Sequence, residues 1–401
     1  MAIEVREMQE PDRVRGFEIY GHTYGAGPAL LESLQTVPLA DRWVAVDGDE
    51  VLAVLRVLPV EQGYGGKRVS AAGIAAVAVA PEARGRRVGR ALMTGVLSAH
   101  RARGTALSVL YASTMAAYRP VGYELAGARS RYRIPLEHLP RSQPLPVTPW
   151  SDADLPDVAA CANRIALRSS GLMLRPDWWW EPRVFGQLEG DQFLFRYRVV
   201  EEGRTTGFLI YTQKYELRAD FPIQWTSDPE CPAVVARDLF WETPTAAQSL
   251  LGFLAGQRAL GTYLYWTGPP NDPLMGFLEE HLPVTQSAYQ WMNRVLHVER
   301  ALTSRGYSSQ VSASVDLEVV DETLADNSGS YRLEVSSGSA EVTRIGSAPT
   351  RITSNGLASL YTGWRSSADL RAAGQLTGDD RDDHALDAIF AGPVPWLCDF
   401  F

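Results

Sequence analysis

The stretch Val77-Ala78-Val79-Ala80-Pro81-Glu82-Ala83-Arg84-Gly85-Arg86-Arg87-Val88-Gly89-Arg90 limits what this chain can fold into more than any other. Val77 and Val79 are β-branched residues set among small apolar ones, as a buried strand needs, and Pro81 removes a donor and ends the pairing. From Ala91 to Ala102 the composition is helix-forming, with Leu92, Val96, Leu97 and Ala99 on one face and Gly104 as the stop. The turn between strand and helix therefore lies at a helix N-terminus, where unpartnered N–H groups and the helix dipole favour an anion. Arg84, Arg86, Arg87 and Arg90 surround that point and repel one another unless an anion sits among them. The expected ligand is a pyrophosphate, and the alternative is a solvated basic turn on an unrelated α/β protein.

Length and composition narrow the class. A chain of 401 residues exceeds the usual single domain, so two or three domains are expected. No apolar run approaches the roughly 20 residues of a membrane span. Glu4, Glu7, Glu10, Asp12 and Glu18 interrupt any signal-peptide core, and the expected location is the cytoplasm. A formal charge of -9 argues against a general nucleic-acid binder and leaves the arginines of the turn as a local patch. Cys161, Cys231 and Cys398 are odd in number and far apart, which fits free thiols in a reducing compartment. Neither they nor His22, His100, His138, His281, His297 and His384 show close metal-ligand spacing, so no metal is expected.

Along the chain, Ile3 to Arg6 reads as a strand and a helix follows through about Tyr20. Trp43 to Val46 and Val51 to Val60 read as a hairpin around Asp47-Gly48-Asp49, Ala75 to Val79 leads into the basic turn, and Ala106 to Tyr111 is a buried strand. A second half repeats this order: Pro146 to Trp150 extended, a helix near Leu155 to Leu167, a hairpin of Phe193 to Val200 with Thr205 to Tyr211, then Asp238 to Trp241 and a helix from Thr245 to Arg258. Phe240-Trp241-Glu242-Thr243-Pro244 stands where the arginine-rich turn would be, so this half reads as a copy without the anion site; the alternative is an unrelated α+β domain. From about Leu296, Val315 to Val320, Tyr331 to Val335 and Glu341 to Ile345 form a strand meander. Short helices follow at Asn355 to Tyr361 and Ala368 to Ala373. The acidic run Asp379-Asp380-Arg381-Asp382-Asp383 caps a last helix through Phe390, with a calcium loop as the lesser reading.

The strand-turn-helix resembles the acetyl-CoA motif of the GNAT acyltransferases, whose turn usually reads Arg or Gln, two residues, Gly, one residue, then Gly or Ala. Arg84 and Gly89 fit, and Arg87 stands where glycine is usual. Two GNAT-like halves followed by a meander and helices are similar to the enhanced-intracellular-survival (Eis) acetyltransferases, whose third domain resembles a sterol carrier protein. Further matches are Tyr118-Arg119-Pro120-Val121-Gly122-Tyr123, Leu174-Arg175-Pro176, Arg305-Gly306-Tyr307 and the terminal aromatic residue. The fold this implies is α+β: tandem GNAT-like domains, each a mixed central sheet flanked by helices, at 1–143 and 144–295, then a sterol-carrier-protein-like α+β domain at 296–401.

The implied activity is acetyl transfer from acetyl-CoA to a primary amine, such as an aminoglycoside, polyamine or lysine side chain. By resemblance, Val77, Ala78 and Val79 hold the pantetheine arm, Gly85, Arg86, Arg87, Val88, Gly89 and Arg90 the diphosphate, and Ser113 and Thr114 touch the cofactor. Tyr118 matches the family's general acid, and a phenol with pKa near 10 lies within ~1.5 units of the thiol it must protonate. The α-carboxylate of Phe401 matches the base, and the apolar ending Pro393 to Phe401 reads as a buried tail. For the acceptor, Tyr24 in the loop after the first helix and Phe400 beside the terminus replace carboxylates, so a less charged or partly aromatic amine is expected. Trp178-Trp179-Trp180 either adds to that pocket or packs a domain interface. A homohexamer is implied. The competing functions are a lipid or small-molecule carrier and a catalytically silent scaffold.

Overall fold

The computed structural model describes residues 3–25, 27, 37–186, 193–214, 233–259, 261–280 and 283–401. Two compact units divide the chain: Met1–Gly127 with Gln290–Pro395 and Asp399–Phe401, and Ala128–Tyr289 with Trp396–Cys398.

In the first unit β1 (Glu4–Glu7) leads to helix α1 (Arg13–Tyr24), which Gly25 ends in the left-handed conformation at φ +68°. The helix runs one turn past the expected Tyr20: Gly21 stays helical and Gly25 is the first glycine to turn left-handed, so Tyr24 belongs to its last turn and not to a loop. β2 (Arg42–Asp47), β3 (Glu50–Tyr64) and β4 (Lys67–Val79) pair antiparallel in succession. The β3–β4 hairpin is longer than expected. Gly65 and Gly66, both at positive φ, close it in a two-residue turn of the kind that matches strand twist. Helix α2 (Val88–Ala102) buries Val88, Leu92, Met93, Val96 and Leu97 against this sheet. β5 (Leu107–Leu110) lies parallel to β4, and the single turn α3 (Met115–Tyr118) follows.

The second unit repeats the order. β6 (Glu124–Pro135) enters it, then come β7 (Thr148–Pro149), helix α4 (Leu155–Arg168), β8 (Phe195–Glu201), β9 (Arg204–Lys214), β10 (Ala233–Trp241), helix α5 (Pro244–Ala255) and β11 (Tyr263–Gly268). Strands β7 through β10 pair antiparallel in succession and β10 pairs parallel with β11, as β4 does with β5. The expected internal repeat is therefore present in topology as well as in order.

β12 (Val284–Val295) returns the chain to the first unit, where Met292–Val295 pairs antiparallel with Leu107–Leu110. Helix α6 (Val298–Ser304) precedes a five-stranded sheet of β13 (Ala313–Val320), β14 (Gly329–Ser336), β15 (Ser339–Ile345), β16 (Thr350–Thr353) and β17 (Leu376–Gly378). Helices α7 (Ser354–Thr362), α8 (Ser367–Ala372) and α9 (Asp383–Phe390) accompany it. The acidic run serves the last helices: Asp383 forms a paired contact with Arg371, whose Nη2 also donates to the Asp379 carbonyl. Among the described residues no group of three His, Cys, Asp or Glu is placed to hold a metal ion.

The tip of the β3–β4 hairpin meets this C-terminal part directly. A Cβ on Gly65 would stand 2.3 Å from the Gly306 carbonyl oxygen, so the two glycine backbones are in contact. Beside them Arg305 is buried among Tyr64, Tyr307, Tyr361 and Phe390, whose ring centres lie 5.8, 4.9, 5.0 and 5.0 Å from its guanidinium carbon. Its N–H groups donate to the carbonyls of Tyr361 and Gly306, and no carboxylate faces it among the described residues.

Candidate active site

β4 and β5 pair only from Ala71–Gly73 to Leu107–Val109. β4 then runs on to Val79 while β5 stops at Leu110, so the strands part into a fork and one edge of β4 loses its ladder partner. The register with β3 slips by one residue between the pairs Arg56–Ala75 and Val54–Ala78, a bulge in which Ala76 takes φ +54°. A left-handed alanine costs about 1–2 kcal/mol, so local strain coincides with the fork. Val77 and Val79 are half-buried there and Ala78 is buried. Sequence reading missed this bulge because alanine carries no mark of it.

The basic turn follows as expected. Gly85 has φ +77°, and Arg87, in the position where glycine is usual, adopts φ +62° itself. Arginine thus takes the backbone conformation that glycine would take freely, at the cost of some strain. Arg87 precedes α2, and the N–H groups of Val88, Gly89 and Arg90 have no acceptor among the described residues; the first closed bond runs from Ala91 N to Arg87 O, 3.0 Å. Arg84, Arg87 and Arg90 are exposed and form no ion pair among the described residues, while Arg86 lies 3.7 Å from Asp47. Three unneutralised guanidinium groups beside open N–H donors fit a diphosphate. Ser113 and Thr114 are exposed beyond β5, and Thr114 leaves its hydroxyl out of any cap on α3.

The phenols and the chain end gather at the same fork. Tyr24 donates from its hydroxyl to the Val77 carbonyl at 3.1 Å. Tyr118 is 8% exposed, and burial first, with the Tyr24 phenol second, pushes its hydroxyl up to about 12. The gap to a thiol near 8.5 is then ~3.5 units, roughly 5 kcal/mol, larger than the sequence suggested because the tyrosinate would be desolvated. Tyr118 stands edge-on to Tyr123 at 6.0 Å, and the Tyr123 hydroxyl lies 2.6 Å from Ser108 Oγ, which donates to the Ala72 carbonyl. Phe400 packs on Tyr111 with ring centres 4.7 Å apart. The Phe401 ring lies against Gly73, where a Cβ would come within 3.0 Å of it. Gly73 is the last residue of the β4–β5 pairing, so the final side chain sits where the strands part. Gly73 and Tyr111 escaped the sequence reading, although a glycine inside a strand is a known sign of close approach.

The second unit has a fork without a cradle. β10 pairs with β11 only at Ala233–Val235 and then continues paired with β9 alone, with its own bulge between the pairs Ile210–Asp238 and Tyr211–Ala236. Arg175 forms a paired, buried contact with Asp238 at 2.6 and 2.8 Å. Thr243 caps helix α5: its hydroxyl accepts from Ala246 N and donates to Glu201, and Pro244 has no N–H to offer. Glu242 receives Arg164 and Arg204 beside it. Trp179 and Trp180 are buried in this unit, Trp180 against Arg175, so packing accounts for two of the three tryptophans and Trp178 is half-exposed. Cys161 and Cys398 are buried and in no disulfide among the described residues; Cys231 and His281 lie outside them.

Residues 4–126 match a family model described as an acetyltransferase (GNAT) domain, residues 171–296 match another of the same description, and residues 298–398 match a sterol carrier protein domain. Among solved structures, a GCN5-related N-acetyltransferase from Anabaena variabilis ATCC 29413 is 29% identical over the whole of both chains, with a TM-score of 0.90. One from Kribbella flavida is 29% identical over all of this chain and 98% of its own, with a TM-score of 0.82. Eis1 from Mycobacterium abscessus shares the fold over the whole of both chains at 23% identity and a TM-score of 0.80. No curated protein sequence matches the chain.

Proposed function

We propose that this chain, which belongs to the GNAT acetyltransferases, has the Eis-like order of two GNAT domains and a sterol-carrier-like domain, and is an acetyl-CoA-dependent acyltransferase, acetylates a primary amine by direct transfer at the β4–β5 fork. The observation that carries the reading is the convergence at one fork of the open β4 edge, the basic turn, Tyr118 and the Phe401 ring.

Acetyl-CoA supplies the acetyl group as an activated thioester. The chain's own parts divide the work around it. The N–H groups of Val88, Gly89 and Arg90, with Arg84, Arg86 and Arg87, hold the diphosphate, and the N–H and C=O groups at the unpaired edge of Val77–Val79 line the arm. Ser113 and Thr114 close the other side. The amine nitrogen forms a bond to the carbonyl carbon, the carbon–sulfur bond breaks, and Tyr118 delivers its proton to the departing sulfur. Burial, which pushes its hydroxyl up to about 12, keeps Tyr118 protonated near neutral pH, and re-protonation from solvent restores it. The α-carboxylate of Phe401 takes the proton that the amine loses. Tyr24, Tyr111 and Phe400 present apolar and phenolic surface to the acceptor, which favours a flat or weakly charged amine over a polycation.

Thiol release from acetyl-CoA across aminoglycosides, polyamines, lysine peptides and aromatic amines tests the reading. Turnover with an amine that falls at least 100-fold in Tyr118→Phe, with acetyl-CoA still bound, is the expected result. Full activity after extension of the chain beyond Phe401 removes the base assignment. A chain that binds acetyl-CoA yet acetylates none of these amines favours the silent-scaffold reading. The domain division 1–143, 144–295 and 296–401, a cytoplasmic location and a homohexamer belong to the same proposal. Light scattering tests the last.

A further inference from the structure

Tyr118 closes α3, a helix of only four residues, and enters the tight turn Arg119–Gly122, where Gly122 N donates to Arg119 O and Tyr123 N to Tyr118 O. One turn of helix cannot hold a phenol's direction by itself, because nucleation fixes several dihedrals for a single hydrogen bond. The contacts that hold this turn come instead from the C-terminal part of the same unit. Asn355 Nδ2, in the first turn of α7, donates to Arg119 O at 3.0 Å and Tyr123 O at 2.8 Å, one on each arm of the turn. Arg294 Nε donates to Val121 O at the turn's tip, at 3.0 Å. That arginine is pinned in turn: Asp321 receives Nη2 on both oxygens at 2.7 and 2.6 Å and is itself bonded by Asn327 Nδ2 and the N–H of Leu324. A Cβ at Gly122 would stand 2.6 Å from Arg294 Nε, so the tip also needs glycine for the approach.

We infer that the sterol-carrier-like domain positions the catalytic turn, with Asn355 as the positioning residue that sets the direction of Tyr118. The inference rests on the reading of Tyr118 as the acid. Asn355 touches neither the basic turn nor the open edge of β4, so its loss acts on the proton-delivery step and not on binding of acetyl-CoA. The domain then has a role in every turnover, whether or not it carries a ligand.

Asn355 lies at a half-buried helix N-terminus, so its truncation is expected to fold. Asn355→Asp is a second, near-isosteric variant that keeps a favourable charge at that end of α7 and loses both donors. The test is a double-mutant cycle with Tyr118→Phe on the purified full chain, reading kcat, KM for acetyl-CoA and melting temperature. Both Asn355 variants are expected to lower kcat about 10-fold, as loss of one or two hydrogen bonds would, with KM for acetyl-CoA unchanged and no further fall in the Tyr118→Phe background. Unchanged kcat in both variants while Tyr118→Phe is inactive overturns the positioning role alone. An equal fall in both backgrounds overturns it as well, since it marks a merely structural effect. Wild-type activity in Tyr118→Phe overturns the reading of the acid and the inference with it.

Discussion

The two strand-to-helix turns share a scaffold and differ in chemistry. Each follows a bulged strand that leaves its parallel neighbour after three pairs, and each feeds a helix packed on the sheet. In the first, the helix start is open and flanked by Arg84, Arg87 and Arg90, which form no ion pair among the described residues, and by Arg86 near Asp47. In the second, Thr243 caps it, Pro244 removes a donor, and Glu201 and Glu242 stand beside it with their partners. The first offers an anion open donors and positive charge, while at the second the helix start is capped and its carboxylates are already paired. The fork is thus a property of the fold, while ligand binding depends on a handful of side chains at its mouth.

Four changes put that contrast at risk. The largest effect is expected in the second unit: Asp238→Ala leaves Arg175 charged and buried without its partner, and should cost about 3–5 kcal/mol in denaturant unfolding while acetyl-CoA affinity is unchanged. Weakened acetyl-CoA binding in that variant would mean the second fork holds the ligand too. In the first unit, Arg84→Ala with Arg87→Ala should weaken acetyl-CoA roughly 10- to 100-fold by calorimetry, with a smaller loss at high salt. The stoichiometry should stay at one acetyl-CoA per chain, and Glu242→Gln should not raise it. Arg87→Gly removes the left-handed strain of an arginine and adds glycine's unfolded-state freedom, so a stability gain of about 0.5–1 kcal/mol is expected beside weaker binding.

A pH effect separates the units least. Burial pushes the Tyr118 hydroxyl up to about 12 and raises those of Tyr64, Tyr123, Tyr307 and Tyr361 as well. Each is protonated in both states below the unfolded value near 10, so the stability it confers is complete there and is lost as pH rises through the folded values. Unfolding free energy should fall steadily above about pH 10. A flat profile to pH 12 would show that these rings are less buried than they are here.

Much of this was legible from residue order. Pro81, the arginine run and Gly104 mark the cradle and its helix, and the repeat of the second half shows in the spacing of its hairpin and helices. What escaped notice depends on backbone conformation or distant contacts. The bulge at Ala76 has no sequence signature, and Arg87 takes the left-handed conformation although arginine rarely does. Helix α1 extends to Tyr24 because Gly21 stays helical and the left-handed stop comes only at Gly25, which moves a proposed acceptor residue from a loop onto the helix. The pairing of Phe401 with Gly73 joins residues from opposite ends of the chain, beyond the reach of any periodicity. Asn355 opens an expected short helix, and its contacts with Arg119 and Tyr123 lie more than two hundred residues away in sequence.

Arg305 holds its place by ring faces and carbonyls where most anchoring arginines use a carboxylate. Acid protonates carboxylates and loosens the ion pairs elsewhere, such as Arg332 with Asp316, but it leaves an aromatic quadrupole unchanged. The hairpin tip and the C-terminal sheet should therefore separate late when the molecule is acidified. Amide protons around Gly65 and Gly306 would then be among the last to exchange, and they would mark where the molecule's memory of its native shape persists longest.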